Sequence, residues 1–239
     1  MNSITVVQDN IKAVLDLVRD ACVKSTLSKQ CTLVAVSKTK PKDLIQACYA
    51  VGQRHFGENY VQELEEKSIA LQNECPDIKW HYIGKIQSNK IPKLCSIPSL
   101  YCVQTIESVK HCDIFNNEME KRQSVLDVLV QVNTSEEQQK GGLSIAEAPD
   151  LACYIAENCA HLNFAGFMTI GSVENSHIVP NPDFERLYKV RETWAITTSR
   201  LPTEVHLSMG MSDDFETAIA QGSTSIRVGS KIFGPRLYQ

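Results

Sequence analysis

The feature that most constrains this chain is the repetition of one pattern: a short apolar run, a polar break, then apolar residues at three- and four-residue steps. Strand-length runs fall at 32–36, 54–56, 79–83, 100–105, 126–132, 163–169, 204–207 and 225–228. Helical spacing occupies 42–51, 60–73, 88–95, 107–122, 144–158, 184–199 and 213–220. Strands joined through helices run parallel, because the crossover brings the chain back in the same direction. About eight such units in 239 residues predict a single (β/α)8 barrel spanning 1–239 as one domain. Before the first strand, Ile4, Val7, Ile11, Val14, Leu15, Val18 and Cys22 mark an extra N-terminal amphipathic helix. A doubly wound open sheet is the alternative, but the chain has neither GxGxxG nor GxxxxGK[ST], and no GxSxG.

Composition narrows the function classes. With 43% hydrophobic and 22% charged residues the chain reads as a soluble globular domain. Its formal charge of -4 supplies no basic field for nucleic acid or an anionic membrane, and no apolar run reaches membrane length. Nine cysteines, an odd number without a CxxC pair, suit a reducing compartment and mostly fall in apolar segments as small core residues. A cytoplasmic location is expected, with a mitochondrial pool left open by the N-terminal sequence. No cysteine and histidine cluster has zinc spacing, so no metal is expected.

The residues that carry chemistry recur after strands. In TLVAVSKTKP (32–41), alternation puts Val34, Val36 and Lys38 on one face and Ser37 on the other. A lysine that continues an apolar row, with Lys40 close by, is placed to lose a proton and attack a carbonyl; a snorkelling surface lysine is the plainer reading. GEN (57–59), Gly84, HLSMGMSDD (206–214) and RVGSKIFG (227–234) follow other strands, and in a barrel all of these share one rim. Strands seven and eight commonly supply a phosphate site there. Ser208, with the Gly229 and Ser230 amides, offers the donors a phosphate requires. Asp213 and Asp214 would then turn away to cap the next helix.

A lysine opposite a phosphate site suits a phosphorylated aldehyde, and pyridoxal 5'-phosphate satisfies both requirements. Arg227 fits the same guest, since a guanidinium can only donate to the pyridine nitrogen and leaves the ring a weak electron sink. Two further classes stay open at this point: a racemase-like enzyme and an aldolase-type barrel that uses Lys38 without a cofactor.

At AVSKTKP (35–41), HFGENYVQE (55–63), WHYIGKIQSNK (80–90), HLSMGMSDD and GSTSIRVGSKIFGPR (222–236) the chain resembles the pyridoxal phosphate homeostasis proteins. The resemblance implies the barrel of the N-terminal domain of alanine racemase, with pyridoxal 5'-phosphate held as an aldimine on Lys38. It places Ser208, Gly229 and Ser230 at the phosphate, Arg227 at the ring nitrogen, and Asn59, Ile83 and Met209 along the ring pocket. It also implies a monomeric, non-enzymatic binding protein serving vitamin B6 homeostasis, with dependent apoenzymes as candidate recipients. A racemase of low activity is the alternative. Alanine racemase draws its second base from another domain, and a chain ending at Gln239 is expected to lack one.

Overall fold

The computed structural model describes residues 3–235; Arg236 of the last quoted motif lies outside the described residues. Eight parallel strands close in sequence order: β1 (Thr32–Val36), β2 (His55–Glu58), β3 (Lys79–Tyr82), β4 (Leu100–Ile106), β5 (Leu126–Gln131), β6 (Leu162–Met168), β7 (His206–Ser208) and β8 (Ser225–Val228). The seam is continuous, with Thr32 opposite Ser225 and Ala35 opposite Val228.

Ahead of the barrel, α1 (Ser3–Lys24) buries Val7, Ile11, Val14, Val18 and Cys22 of the face expected from the sequence, with Leu15 half-buried and Ile4 exposed at the first turn. Around the strands follow α2 (Lys42–Ala50), α3 (Val61–Leu71), α4 (Ile91–Cys95), α5 (Val109–Lys121), α6 (Ala148–Asn158), α7 (Pro182–Thr197), α8 (Phe215–Ala220) and α9 (Ser230–Phe233). α1 packs on α2, α8 and α9, so it covers the seam where the first and last units meet.

Strand alternation divides the side chains into two sets. Val103, Val128, Val130, Phe167 and Leu207 join the large apolar layer between barrel and helices. Cys102, Leu129 and Met168 form a separate small cluster inside the barrel. The nine cysteines are all free, and seven are buried. Among the described residues no helix is long and apolar enough to cross a membrane.

Several boundaries differ from the sequence reading, each for a local reason. β2 runs on through Gly57 and Glu58, where a Cβ on Gly57 would meet Ile83 and Val34 side chains at 3.1 Å. β7 starts two residues late because Pro202–Glu204 forms a 3-10 turn. α6 starts at Ala148; in the preceding turn the Glu147 carboxylate accepts the Ser144 hydroxyl at 2.6 Å. The short α9 has too few residues to show a helical period in the sequence.

Candidate functional site

β1 stops at Val36, and Lys38 sits in the turn beyond it, with Thr39 in the left-handed region at φ 64°. That turn is pinned on both sides of Lys38. Ser37 Oγ donates to Glu58 Oε1 at 2.6 Å, and Thr39 N–H donates to Glu63 Oε1 at 2.6 Å. Lys67 of α3 ties the two acids together, donating to Glu58 Oε1 (2.7 Å), Glu63 Oε1 (2.6 Å) and the Ser37 carbonyl (2.7 Å). The sequence reading passed over this buried cluster; the Glu63 and Lys67 pair at i, i+4 was its visible signal.

Lys38 lines a cavity of about 460 Å³ at the C-terminal ends of the strands, a volume typical of small-molecule sites. Asn59, Ile83, Arg227, Gly229 and Ser230 line it with Lys38, so six of the eight expected site residues meet there. Asn59 Oδ1 is buried without a hydrogen-bond partner among the described residues. Gly84 sets the Asn59 position: a Cβ there would overlap the Asn59 carbonyl oxygen. The Thr105 hydroxyl holds the Gly84 carbonyl at 2.6 Å.

Ser208 and Met209 do not line the cavity. Ser208 points into the barrel one layer below the mouth, fully buried, receiving Arg227 Nη1 at 2.5 Å and donating to Gln104 Oε1 at 2.6 Å. Met209 alternates outward into the apolar layer under the helices. The chain reaches the rim only after the turn at Gly210, whose φ of 100° and closeness to Ala218 Cβ (2.6 Å from a built Cβ) both require glycine. Met211 and Ser212 therefore line the cavity in place of Met209 and Ser208. Ser212 Oγ accepts the Lys231 N–H at 3.5 Å, which sets it beside Gly229 and Ser230. The second serine of LSMGMS was the signal for it.

The two aspartates also part. Asp214 turns back to accept the Met211 N–H at 2.7 Å, whereas Asp213 is exposed and lines the mouth. Neither side chain caps the helix as expected, since the N-cap of α8 is Asp214 without a side-chain cap bond. Met168, Ile170 and Val36 complete much of the apolar wall.

Arg227 is the main charge built into the wall. It is 4% exposed and donates to two neutral oxygens, Ser208 Oγ and the Thr169 carbonyl (2.7 Å). Burial pushes its guanidinium down to about 10, with Asp214 opposing through space, so it remains a cation near neutrality. With Lys38 and Lys40 also lining the cavity, the site is suited to a small anion that carries an apolar ring.

A parallel barrel with a lysine after its first strand and a buried arginine on its last belongs to a defined class. The family model described as alanine racemase, N-terminal domain, matches residues 9–236. A pyridoxal phosphate homeostasis protein from Caenorhabditis elegans is 58% identical over 241 residues, covering 99% of either chain. The chain belongs to the pyridoxal phosphate homeostasis protein family. Among solved structures, an unknown protein from Bifidobacterium adolescentis superposes with a TM-score of 0.86 at 30% identity, covering 97% of this chain and 96% of that one. PipY of Synechococcus elongatus, solved with PLP bound, superposes with a TM-score of 0.76 at 26% identity, covering 95% of this chain and 100% of that one.

Proposed function

We propose that this protein binds pyridoxal 5'-phosphate at the barrel mouth and takes part in vitamin B6 homeostasis as a custodian of the cofactor. The observation that carries this reading is one cavity lined by Lys38, Arg227 and Ser230, with the unpartnered Asn59 Oδ1 beside it. When bound, the cofactor supplies an aldehyde and a pyridine ring that can withdraw electrons. Lys38 is the amine that would hold the aldehyde. Ser212, Gly229 and Ser230 would hold the phosphate, and Arg227 would donate to the ring nitrogen. Asn59 and Ile83 border the ring, with Met168 and Met211 in the wall role first given to Met209.

Custody is favoured over turnover by the residues that line the cavity. Besides Lys38 and Arg227, its titratable lining groups among the described residues are Lys40 and Asp213. Lys40 is engaged with the Pro235 carbonyl at 3.0 Å, and Asp213 is exposed. Racemisation needs a base held on each face of the reacting carbon. A donor-only Arg227 adds to this by keeping the ring a weak sink. Transfer to dependent apoenzymes, by a monomer in the cytoplasm, completes the reading.

Borohydride reduction of the loaded protein followed by peptide mass spectrometry tests it. The adduct is expected on Lys38. An adduct confined to Lys40 or Lys231, or none at all, would overturn the assignment.

A further inference from the structure

Beneath the cavity the barrel interior is crossed by an unbroken series of hydrogen bonds between side chains from five strands. Arg227 Nη1 (β8) donates to Ser208 Oγ (β7), and Ser208 Oγ donates to Gln104 Oε1 (β4). Gln104 Nε2 lies 2.9 Å from His81 Nδ1 (β3), and His81 Nε2 lies 2.8 Å from His55 Nδ1 (β2). The descent runs from the mouth toward the barrel floor, since His55 opens β2 while Arg227 stands near the end of β8.

The chemistry of the groups gives this series one direction. A guanidinium can only donate, so Ser208 must accept from it and send its own proton onward. Gln104 then accepts through Oε1 and offers Nε2–H to His81 Nδ1. That nitrogen is therefore bare, and the His81 proton sits on Nε2, facing His55 Nδ1. Each group donates to the next one down. Donation from a hydroxyl makes its oxygen a better acceptor, so the links reinforce one another at the arginine end.

We infer that Ser208, Gln104, His81 and His55 form a one-directional chain that fixes Arg227 at the cavity wall through neutral oxygens, making Gln104 and His81 positioning residues for the ring nitrogen. Asp214 acts on the Arg227 charge only through space. A carboxylate in the place of Ser208 would hold Arg227 as firmly, but it would neutralise the cavity. The two histidines suit such a chain because both are neutral at pH 7: burial lowers His55 to about 4 and His81 to about 3, with Lys79 adding to both. The role toward a guest rests on the cofactor reading above; the direction of the chain does not.

Two measurements test it. Nitrogen-15 NMR of the cofactor-free protein at pH 7 should find His81 and His55 both in the Nε2–H tautomer. His81 protonated on Nδ1 would reverse Gln104 and overturn the chain. In the cofactor-loaded protein, Gln104→Met removes the acceptor for the Ser208 proton. Affinity for pyridoxal 5'-phosphate should fall roughly 10-fold, as for losing a bond to a charged group. The absorbance maximum of the bound chromophore should move, while the borohydride adduct stays on Lys38. An unmoved maximum with unchanged affinity would refute the positioning role. Absence of any Lys38 adduct in the unaltered protein would sink the cofactor reading and with it the guest role, leaving the tautomers to decide the chain.

Discussion

Lys67 Nζ lies 2.7 Å from Glu58 Oε1 in an ion pair whose side chains are 8% and 0% exposed. Burial raises the Glu58 carboxyl, Lys67 holds it down, and Glu58 Oε2 has no hydrogen-bond partner among the described residues. Among the described residues, Lys67 and the Ser37 hydroxyl are the groups bonded to that carboxylate. Lys67→Met should therefore destabilise the fold by about 3–5 kcal/mol, the usual cost of stranding a buried charge. Adding Glu58→Gln should recover part of the loss. Urea unfolding of the single and double variants measures both, and a single-variant loss under about 1 kcal/mol would contradict the account.

The histidine pair makes stability depend on pH in a definite direction. His55 falls from 6.5 to about 4 and His81 from 6.5 to about 3, so between those values the unfolded chain holds more protons than the folded one. Their contribution is complete above about pH 6.5 and is lost as pH falls through the folded values. From pH 7 to 5 the loss due to His81 is on the order of 1 to 2 kcal/mol. Unfolding free energies at the two pH values should differ more for the unaltered protein than for His81→Asn. Equal differences would show that His81 is not held neutral.

Two glycines separate steric from conformational demands. Gly52 has a φ of 101° with nothing within 4 Å of a built Cβ, so Gly52→Ala meets only backbone strain, about 1 kcal/mol. Gly84→Ala must push the Asn59 backbone aside and should cost about 3 kcal/mol. It should also weaken cofactor binding, because Asn59 moves with it. Thermal unfolding and cofactor titration of the two variants check the contrast, which fails if Gly84→Ala binds normally.

The architecture was legible because periodicity is a property of whole segments. Eight strands and the face of α1 follow from runs of Val, Ile, Leu and Cys, and an error of two residues at an end changes neither. The site was less legible because it depends on single-residue phase. Lys38, Asn59, Arg227, Gly229 and Ser230 each lie within two residues of the last residue of an apolar strand, where phase is secure. Ser208 and Ser212 are four apart in one motif, and only the path of the Gly210 turn decides which reaches the rim. The Arg227 to His55 chain joins five strands through pairs as far as 104 residues apart, a kind of contact that one sequence does not encode locally.

If custody is the function, the loaded protein should exchange the Cα proton of L- or D-alanine in deuterated water far more slowly than a typical enzyme turns over, about 10 per second. Mass spectrometry of the recovered alanine measures the exchange. Turnover at that typical rate would establish a second base and favour the racemase reading.

Ser212 and Ser208 should fail in different ways. Ser212 faces the cavity beside Gly229 and Ser230, so Ser212→Ala removes a hydroxyl from the proposed phosphate site and nothing from the barrel interior. A hydrogen bond to a charged oxygen contributes about 1.5–3 kcal/mol, which predicts roughly 10- to 100-fold weaker binding of pyridoxal 5'-phosphate. Binding of unphosphorylated pyridoxal should hardly change. Ser208→Ala leaves the proposed phosphate site intact but withdraws an acceptor from the buried Arg227 and isolates Gln104 Oε1. It should weaken pyridoxal and its phosphate by a similar factor and should destabilise the fold by about 1–3 kcal/mol, the cost of unpaired buried polar groups. Titrating both ligands against both variants distinguishes the two roles. A phosphate-selective loss in Ser208→Ala with none in Ser212→Ala would return the phosphate to Ser208 and reverse the assignment.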